Sequence, residues 1–261
     1  MNNEEMPTAV SEQGQWPAPS LILLKSGSQS PPIFMVPGLG GTASDLLQLA
    51  SQLPVSCPVY GLREQGMDGP NAPLDRIAAM AEFHLGAIRR MQPHGPYLLI
   101  GYSLGGLISL EIARRLSKAG ERIGLLALLD SYPYRSYLPS MQRMRLLVRL
   151  AKLRMASVFR AKAPEGHPAA PALRQVKAAQ LRAWHNYRPD FYDGKISFVK
   201  ATIATFLPDD PLAVWAPMAR EIQVRTVPGD HLGMLTIHSE SVAQTLAHYL
   251  AEACLASSNG D

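Results

Sequence analysis

Short apolar runs of β type alternate with helical runs along most of the chain, and this alternation strongly restricts the fold. Several runs are almost continuously apolar, which is typical of strands in a sheet covered on both faces. The predicted strands cover residues 21–24, 33–36, 59–62, 97–100, 123–129, 196–201 and 224–227. The predicted helices cover residues 44–52, 74–91, 107–119 and 239–256. We therefore predict an α/β fold with a mostly parallel, doubly wound sheet.

The alternation stops between residues 134 and 189, where two helical patterns follow one another without a strand. In an open α/β sheet, ligands bind beyond the carboxyl ends of the strands. An insertion that leaves the strand end at Asp130 would lie over that crevice. We predict a helical lid over residues 134–189, an α/β core over 21–133 and 190–261, and a flexible tail over 1–20, which is rich in Pro, Ser, Glu and Gln.

The predicted insertion combines an apolar stripe with a concentration of positive charge. The apolar stripe has helical spacing and consists of Met144, Leu147, Val148, Ala151, Met155 and Val158. We expect it to pack between helices or to form the wall of a tunnel for an apolar ligand. The segment 131–164 has eight basic residues and no acidic one. Two interpretations stay open: a solvated helix face, or a docking surface for an acidic partner or a phosphate-bearing substrate.

Composition excludes several classes of protein. The chain has 261 residues, of which 47% are apolar, enough for one large core. No apolar run reaches the roughly 18 residues of a membrane span, and the first ten residues lack the basic-then-apolar order of a signal peptide. With two cysteines and neither CxxC nor HExxH, we expect no disulfide framework and no metal. We predict a cytoplasmic protein that binds no nucleic acid, because no recognition motif accompanies the charge.

The segment GYSLGG, residues 101–106, lies between a predicted strand and a predicted helix. A GxSxG on a sharp strand-to-helix turn exposes the serine hydroxyl and directs the first N–H groups of the helix toward it. Ser103 is therefore the candidate nucleophile.

A serine hydroxyl needs a histidine to take its proton and an acid to orient that histidine. His231 is the candidate base, because it follows the last predicted strand on a Pro-Gly turn. Asp130 is the preferred acid, because it ends the strand after the nucleophile strand. Asp209 and Asp210 remain competitors in the loop after the next strand, and Asp230 is too near His231 in sequence to orient it easily.

The tetrahedral intermediate of acyl transfer needs preorganised N–H donors. Leu104 would supply one as the residue after the nucleophile, and Leu39 in the loop VPGLGGTAS would supply the second. The same loop fits the dinucleotide pattern GxGxxA at Gly38, Gly40 and Ala43. We do not favour that interpretation, because no acidic residue ends the next predicted strand to bind a ribose.

Four segments of the chain together resemble the thioesterase domains of the α/β-hydrolase superfamily that end nonribosomal peptide and polyketide assembly lines. They are PPIFMVPGLGG, QPHGPYLLIGYSLGG, LLALLDSYP, and YRPDFYDGKISFVKA with the later VPGDHLGML. The resemblance extends from about Leu21 to the C-terminus. It implies an α/β-hydrolase fold with a helical lid, the triad Ser103, Asp130 and His231, and oxyanion donors Leu39 and Leu104.

The resemblance also implies a substrate: a polyketide, peptide or fatty acyl group held as a thioester on the phosphopantetheine arm of an acyl or peptidyl carrier protein. No bound cofactor is implied. Only about 20 residues precede the first predicted strand, so we expect the carrier protein to act in trans. Pro37 stands where many relatives have histidine, and the elbow is more similar to release domains than to editing thioesterases. The alternatives are a carboxylesterase or lipase-like hydrolase, and a non-catalytic ligand-binding protein on a hydrolase scaffold.

Overall fold

A computed structural model describes residues 20–67, 71–157, 171–203 and 207–258. Its sheet has seven strands in the order β1-β3-β2-β4-β5-β6-β7. β1 pairs antiparallel with β3, and the remaining neighbours are parallel. The strands are β1 Leu21–Lys25, β2 Ile33–Val36, β3 Val59–Leu62, β4 Tyr97–Tyr102, β5 Ile123–Leu129, β6 Tyr192–Ile203 and β7 Ala219–Asp230.

Helices cover both faces of this sheet, and each face has its own buried core. The helices are α1 Leu47–Gln52, α2 Ile77–Met91, α3 Leu104–Lys118, α4 Ser140–Ser157, α5 Pro171–Asn186, α6 Pro211–Trp215 and α7 Ser239–Ser258. On one face, α2 and α3 bury residues such as Met80 and Leu107 against the sheet. On the other face, α1 and α7 bury residues such as Leu49 and Leu246. The predicted mostly parallel, doubly wound α/β fold is confirmed.

Several element boundaries differ from the predicted ones. α3 begins at Leu104 rather than at residue 107, because the glycines at 105 and 106 lie inside its first turn instead of before it. β6 and β7 each have 12 residues, twice or more the predicted lengths. The additional residues of these strands are largely polar and half-buried or exposed, so they lack the apolar runs on which the prediction depended.

The insertion between β5 and β6 contains the two expected helices, α4 and α5. The packing predicted for the apolar stripe is wrong at three positions: the exposed fraction is 60% for Met144, 45% for Leu147 and 48% for Val148. Within residues 140–149 of α4, the buried side chains are instead Gln142 and Leu146. Of the predicted tail at 1–20, only Ser20 lies within the described residues. Residues 158–170, with Val158 of the stripe, lie outside them, as do the side chains of Ala151 and Met155. Among the helices that the structure describes, none has the length and apolar character needed to cross a membrane.

Candidate active site

Ser103 occupies the sharp turn between β4, which ends at Tyr102, and α3, which begins at Leu104. Its backbone has φ 54° and ψ −120°, a conformation that L-residues adopt only under strain. The turn is tight because a Cβ on Gly105 would clash with the backbone carbonyls of Val36 and Pro37. The helix and the loop after β2 therefore approach each other directly behind Ser103. This is the geometry expected for an exposed nucleophile at a helix N-terminus.

Asp130 and His231 meet at the same edge of the sheet, because each follows the carboxyl end of a parallel strand. Asp130 Oδ2 lies 2.9 Å from His231 Nδ1, and the two residues are only 5% and 7% exposed. Asp130 also has a positive φ of 48°, and its N–H donates to the carbonyl of Val199 at 2.8 Å. The strained turn aims the carboxylate at the histidine, which fixes Nδ1 and leaves Nε2 to face other groups.

Tyr102, the residue directly before Ser103, holds His231 in two ways that sequence analysis did not predict. Its hydroxyl donates to the His231 carbonyl at 2.7 Å, and its ring stacks on the imidazole with 4.8 Å between centroids. Burial raises the pKa of Tyr102, with the carboxylates of Asp130, Asp230 and Asp45 adding to the effect, so the phenol stays neutral. The residue at the first variable position of the GxSxG motif, Tyr102, therefore supports the histidine.

The two competing aspartates, Asp209 and Asp210, are engaged elsewhere, and so is Asp230. Asp209 forms an ion pair with Arg149 at 2.8 Å. Asp210 caps α6 by accepting the N–H of Ala213 at 3.0 Å. Asp230 accepts the N–H of Gly233 at 2.8 Å, which stabilises the turn after β7. The geometry therefore favours Asp130 as the partner of His231.

The loop after β2 forms a tight turn around Leu39. The N–H of Gly41 donates to the carbonyl of Gly38 at 3.0 Å, and Gly40 has φ +66°, a conformation that favours glycine. Leu39 and Leu104 both line the cleft that contains Ser103. The two predicted oxyanion donors thus line the same cavity as Ser103.

Helix α5 contacts this loop through residues that sequence analysis missed. Gln180 is fully buried, and its Oε1 accepts the N–H of Gly40 at 2.7 Å. The side chain of Lys177 lies against Gly40, where an added Cβ would come within 2.9 Å of Lys177 Cδ. Trp184 donates from Nε1 to the carbonyl of Tyr132 at 3.1 Å. Because 177, 180 and 184 share one face of the helix, α5 bridges the Leu39 loop and the loop after Asp130.

The cleft has a volume of about 800 Å³, which is suited to a small organic ligand. Ser103, Asp130 and His231 line it together with Tyr132, Lys177 and Trp184. Within the ranges that the structure describes, no group of three or more His, Cys, Asp or Glu is placed to hold a metal ion. The arrangement provides a hydroxyl, an oriented imidazole and backbone donors, which are the components of acyl transfer.

Comparison with known proteins places the chain in a family. The family model described as "Thioesterase domain" matches residues 31–250. The chain is 30% identical over 209 residues to the non-reducing polyketide synthase PKS16 of Cladonia grayi. The matched segment covers 76% of this chain and 10% of that protein. The chain is 38% identical over 118 residues to the polyketide synthase PksR of Bacillus subtilis (strain 168), covering 45% of this chain and 4% of that protein. The chain thus spans only a small part of the length of these relatives.

Solved structures show the same fold. A covalent complex of the NocB thioesterase domain with a fluorophosphonate nocardicin G analogue has a TM-score of 0.67 and 22% identity, covering 88% of this chain and 99% of that one. The type II thioesterase BorB from the borrelidin biosynthetic cluster has a TM-score of 0.68 and 19% identity, covering 91% of this chain and 100% of that one. These likenesses confirm the predicted α/β-hydrolase fold.

Proposed function

This chain belongs to the thioesterase domain family, and on that premise we propose that it cleaves an acyl thioester through an acyl-enzyme formed on Ser103. The observation that carries the proposal is the buried contact of 2.9 Å between Asp130 Oδ2 and His231 Nδ1. These two residues line the same cleft as Ser103 with its strained backbone. The roles of Ser103, Asp130 and His231 as nucleophile, acid and base are part of this proposal.

In the first half-reaction, Ser103 Oγ attacks the thioester carbonyl while its proton passes to His231 Nε2. Asp130 accepts the Nδ1–H and stabilises the imidazolium that forms. The negative charge develops on the former carbonyl oxygen, where the N–H groups of Leu39 and Leu104 stabilise it. The tetrahedral intermediate collapses, the carbon–sulfur bond breaks, and the leaving sulfur takes the proton from His231. An ester on Ser103 and a free thiol remain.

In the second half-reaction, water or an amine or hydroxyl of the acyl chain attacks the Ser103 ester. His231 accepts the proton of this nucleophile and then returns it to Ser103 Oγ as the ester bond breaks. Water gives a free acid, an internal nucleophile gives a ring, and an external nucleophile gives a transferred acyl group. The same side chains serve all three outcomes, so the shape of the cleft selects among them.

We propose that the thioester is carried on the phosphopantetheine arm of an acyl or peptidyl carrier protein acting in trans. Relatives of the chain are polyketide and nonribosomal peptide synthases. The insertion, which we interpret as a lid, exposes Arg143 and Arg145 on α4 beside the apolar side chains of Met144 and Val148. A mixed cationic and apolar surface suits an acidic partner. A cytoplasmic location agrees with this partner and with a chain of two cysteines.

The first prediction concerns the leaving group. We expect a higher kcat/KM for an acyl pantetheine thioester than for the oxygen ester of the same acyl group and arm, because a thiolate leaves more readily than an alkoxide. The measurement is the release of thiol or alcohol by the wild-type enzyme, with the carrier-bound thioester as a third substrate. A lower KM for the carrier-bound form would support the proposed partner.

Two outcomes would contradict the thioesterase proposal. Preference for the oxygen ester would favour the carboxylesterase or lipase-like alternative, which uses the same triad. No turnover, with no acylation of Ser103 by a fluorophosphonate, would favour a binding protein on a hydrolase scaffold.

The second prediction concerns Gln180 as a positioning residue for the Leu39 loop. In Gln180→Leu, the Gly40 N–H loses its acceptor, and the turn that presents Leu39 is no longer fixed by α5. An oxyanion donor is worth about 10²- to 10³-fold in rate, so partial misplacement should lower kcat by roughly 10- to 100-fold. KM should change by less than about threefold, because the hydrogen bond acts on the transition state rather than on substrate binding.

The matched control for this prediction is Gln175→Leu, the same substitution at an exposed position of α5. It should leave both constants close to wild type. If Gln180→Leu raises KM and leaves kcat unchanged, or if both variants lower kcat equally, Gln180 does not position the oxyanion loop.

A further inference from the structure

The backbone of Ser103 is hydrogen-bonded on both sides by the two residues that flank Asp130. The N–H of Ser103 donates to the carbonyl of Leu129 at 2.9 Å. The carbonyl of Ser103 accepts a hydrogen bond from the hydroxyl of Ser131. Both bonds join the turn at Ser103 to the end of β5, so they fix the position of the candidate nucleophile relative to the candidate acid.

These two bonds continue the parallel ladder between β4 and β5 by one step. The last regular pair is Tyr102 with Leu129, so the next residues in register are Ser103 and Asp130. A residue in a parallel ladder donates to the residue before its partner and accepts from the backbone N–H of the residue after it. The chain leaves β5 at Asp130, where φ is 48°, and the hydroxyl of Ser131 takes the place of that N–H.

Ser131 is held in one position behind the turn at Ser103. It is fully buried, so its hydroxyl contacts no substrate. Its carbonyl accepts a hydrogen bond at 3.0 Å from Nε1 of Trp215, which is also fully buried. In the first turn of α3, a Cβ added at Gly106 would overlap the hydroxyl of Ser131. The helix that begins after the nucleophile therefore packs directly on this hydroxyl.

We propose that Ser131 is a positioning residue: its hydroxyl holds the carbonyl of Ser103 so that Ser103 Oγ is presented to His231 and to the oxyanion donors. This inference rests on the proposed thioesterase function and goes beyond it, because it assigns a role to a residue that the substrate does not reach. Without the hydroxyl, the strained turn loses a bond to β5 and keeps those to its own helix, such as the Gly106 N–H at 3.1 Å. A misplacement of about 1 Å at a reacting atom costs roughly 10²-fold in rate, so even a small shift of this turn is measurable.

The test is Ser131→Ala, measured as kcat and KM for an acyl pantetheine thioester and as the rate of acylation by a fluorophosphonate. We expect kcat and the acylation rate to fall by roughly 5- to 50-fold. KM should stay within about twofold, because the hydroxyl acts on the attack by Ser103 rather than on substrate binding. A role in stability alone would lower the thermal midpoint and leave these rates unchanged at temperatures well below it.

Ser109→Ala is the matched control. Ser109 is a fully buried serine of α3, and its hydroxyl has no hydrogen-bond partner among the described residues, so its loss should leave both rates near wild type. If Ser131→Ala keeps wild-type rates, or raises KM and leaves kcat unchanged, Ser131 does not position the nucleophile. Wild-type turnover that disappears in Ser103→Ala would keep the proposed function in that case, so the two failures are distinguishable.

Discussion

Ser103→Ala is expected to lower kcat/KM for an acyl thioester by roughly 10⁶-fold, about as much as the loss of the whole triad. The variant has no hydroxyl to form the acyl-enzyme, and any residual rate comes from binding and from the Leu39 and Leu104 donors acting on a direct attack by water. The measurement combines steady-state thiol release with intact-protein mass after incubation with a thioester. Wild type should gain the acyl mass, and the variant should not.

Folding of the variant is the control for this prediction. The strain at Ser103 resides in its backbone, with φ 54°, which alanine must adopt as well, so the thermal midpoint should remain near that of wild type. A rate for Ser103→Ala within tenfold of wild type, or acylation at another residue, would show that Ser103 is not the nucleophile.

The sequence was sufficient to predict the elbow because its constraints are local. The motif GxSxG needs only a strand before it, a helix after it and small residues at the crossing, and all of these lie within about 20 residues. The boundary error at α3 has the same local origin. Gly105 and Gly106 were interpreted as a break before the helix. In the structure both lie inside its first turn, where Gly105 makes room for the backbone of Val36 and Pro37 and Gly106 makes room for Ser131.

The contacts around the candidate catalytic groups were beyond prediction, because they join distant parts of the chain. The bond from Tyr102 to the His231 carbonyl spans 129 residues, and the bond from Gly40 to Gln180 spans 140. The hydrophobic periodicity of a sequence does not indicate which distant residues form a hydrogen bond. For Tyr102 a signal existed, since a tyrosine adjacent to the nucleophile must lie near the base, but its partner atom could not be chosen. For Gln180 the sequence showed only a polar residue in a helix.

The apolar stripe of α4 shows a different limit. Helical spacing at Met144, Leu147 and Val148 indicates one common face, but periodicity does not indicate what that face contacts. The structure exposes these side chains and buries Leu146 instead. These exposed side chains do not belong to the core of the insertion. They are compatible with the carrier surface that we propose, since Met and Arg are enriched at interfaces.

Asp130→Asn is the second prediction of large effect, with an expected loss of about 10⁴-fold in kcat. Asparagine keeps the size of the side chain and also accepts a hydrogen bond, but it removes the negative charge that stabilises the imidazolium, and its amide can favour the wrong tautomer of His231. KM should stay within a few-fold, because the carboxylate is 5% exposed and is occupied by His231 at 2.9 Å. The measurement is steady-state thiol release.

The matched controls are Asp209→Asn and Asp210→Asn. Asp209 pairs with Arg149, and Asp210 accepts the N–H of Ala213, so both variants should retain most of the activity. If Asp209→Asn or Asp210→Asn is the severely impaired variant, the acid of the triad belongs to the loop after β6 and the assignment of Asp130 is wrong.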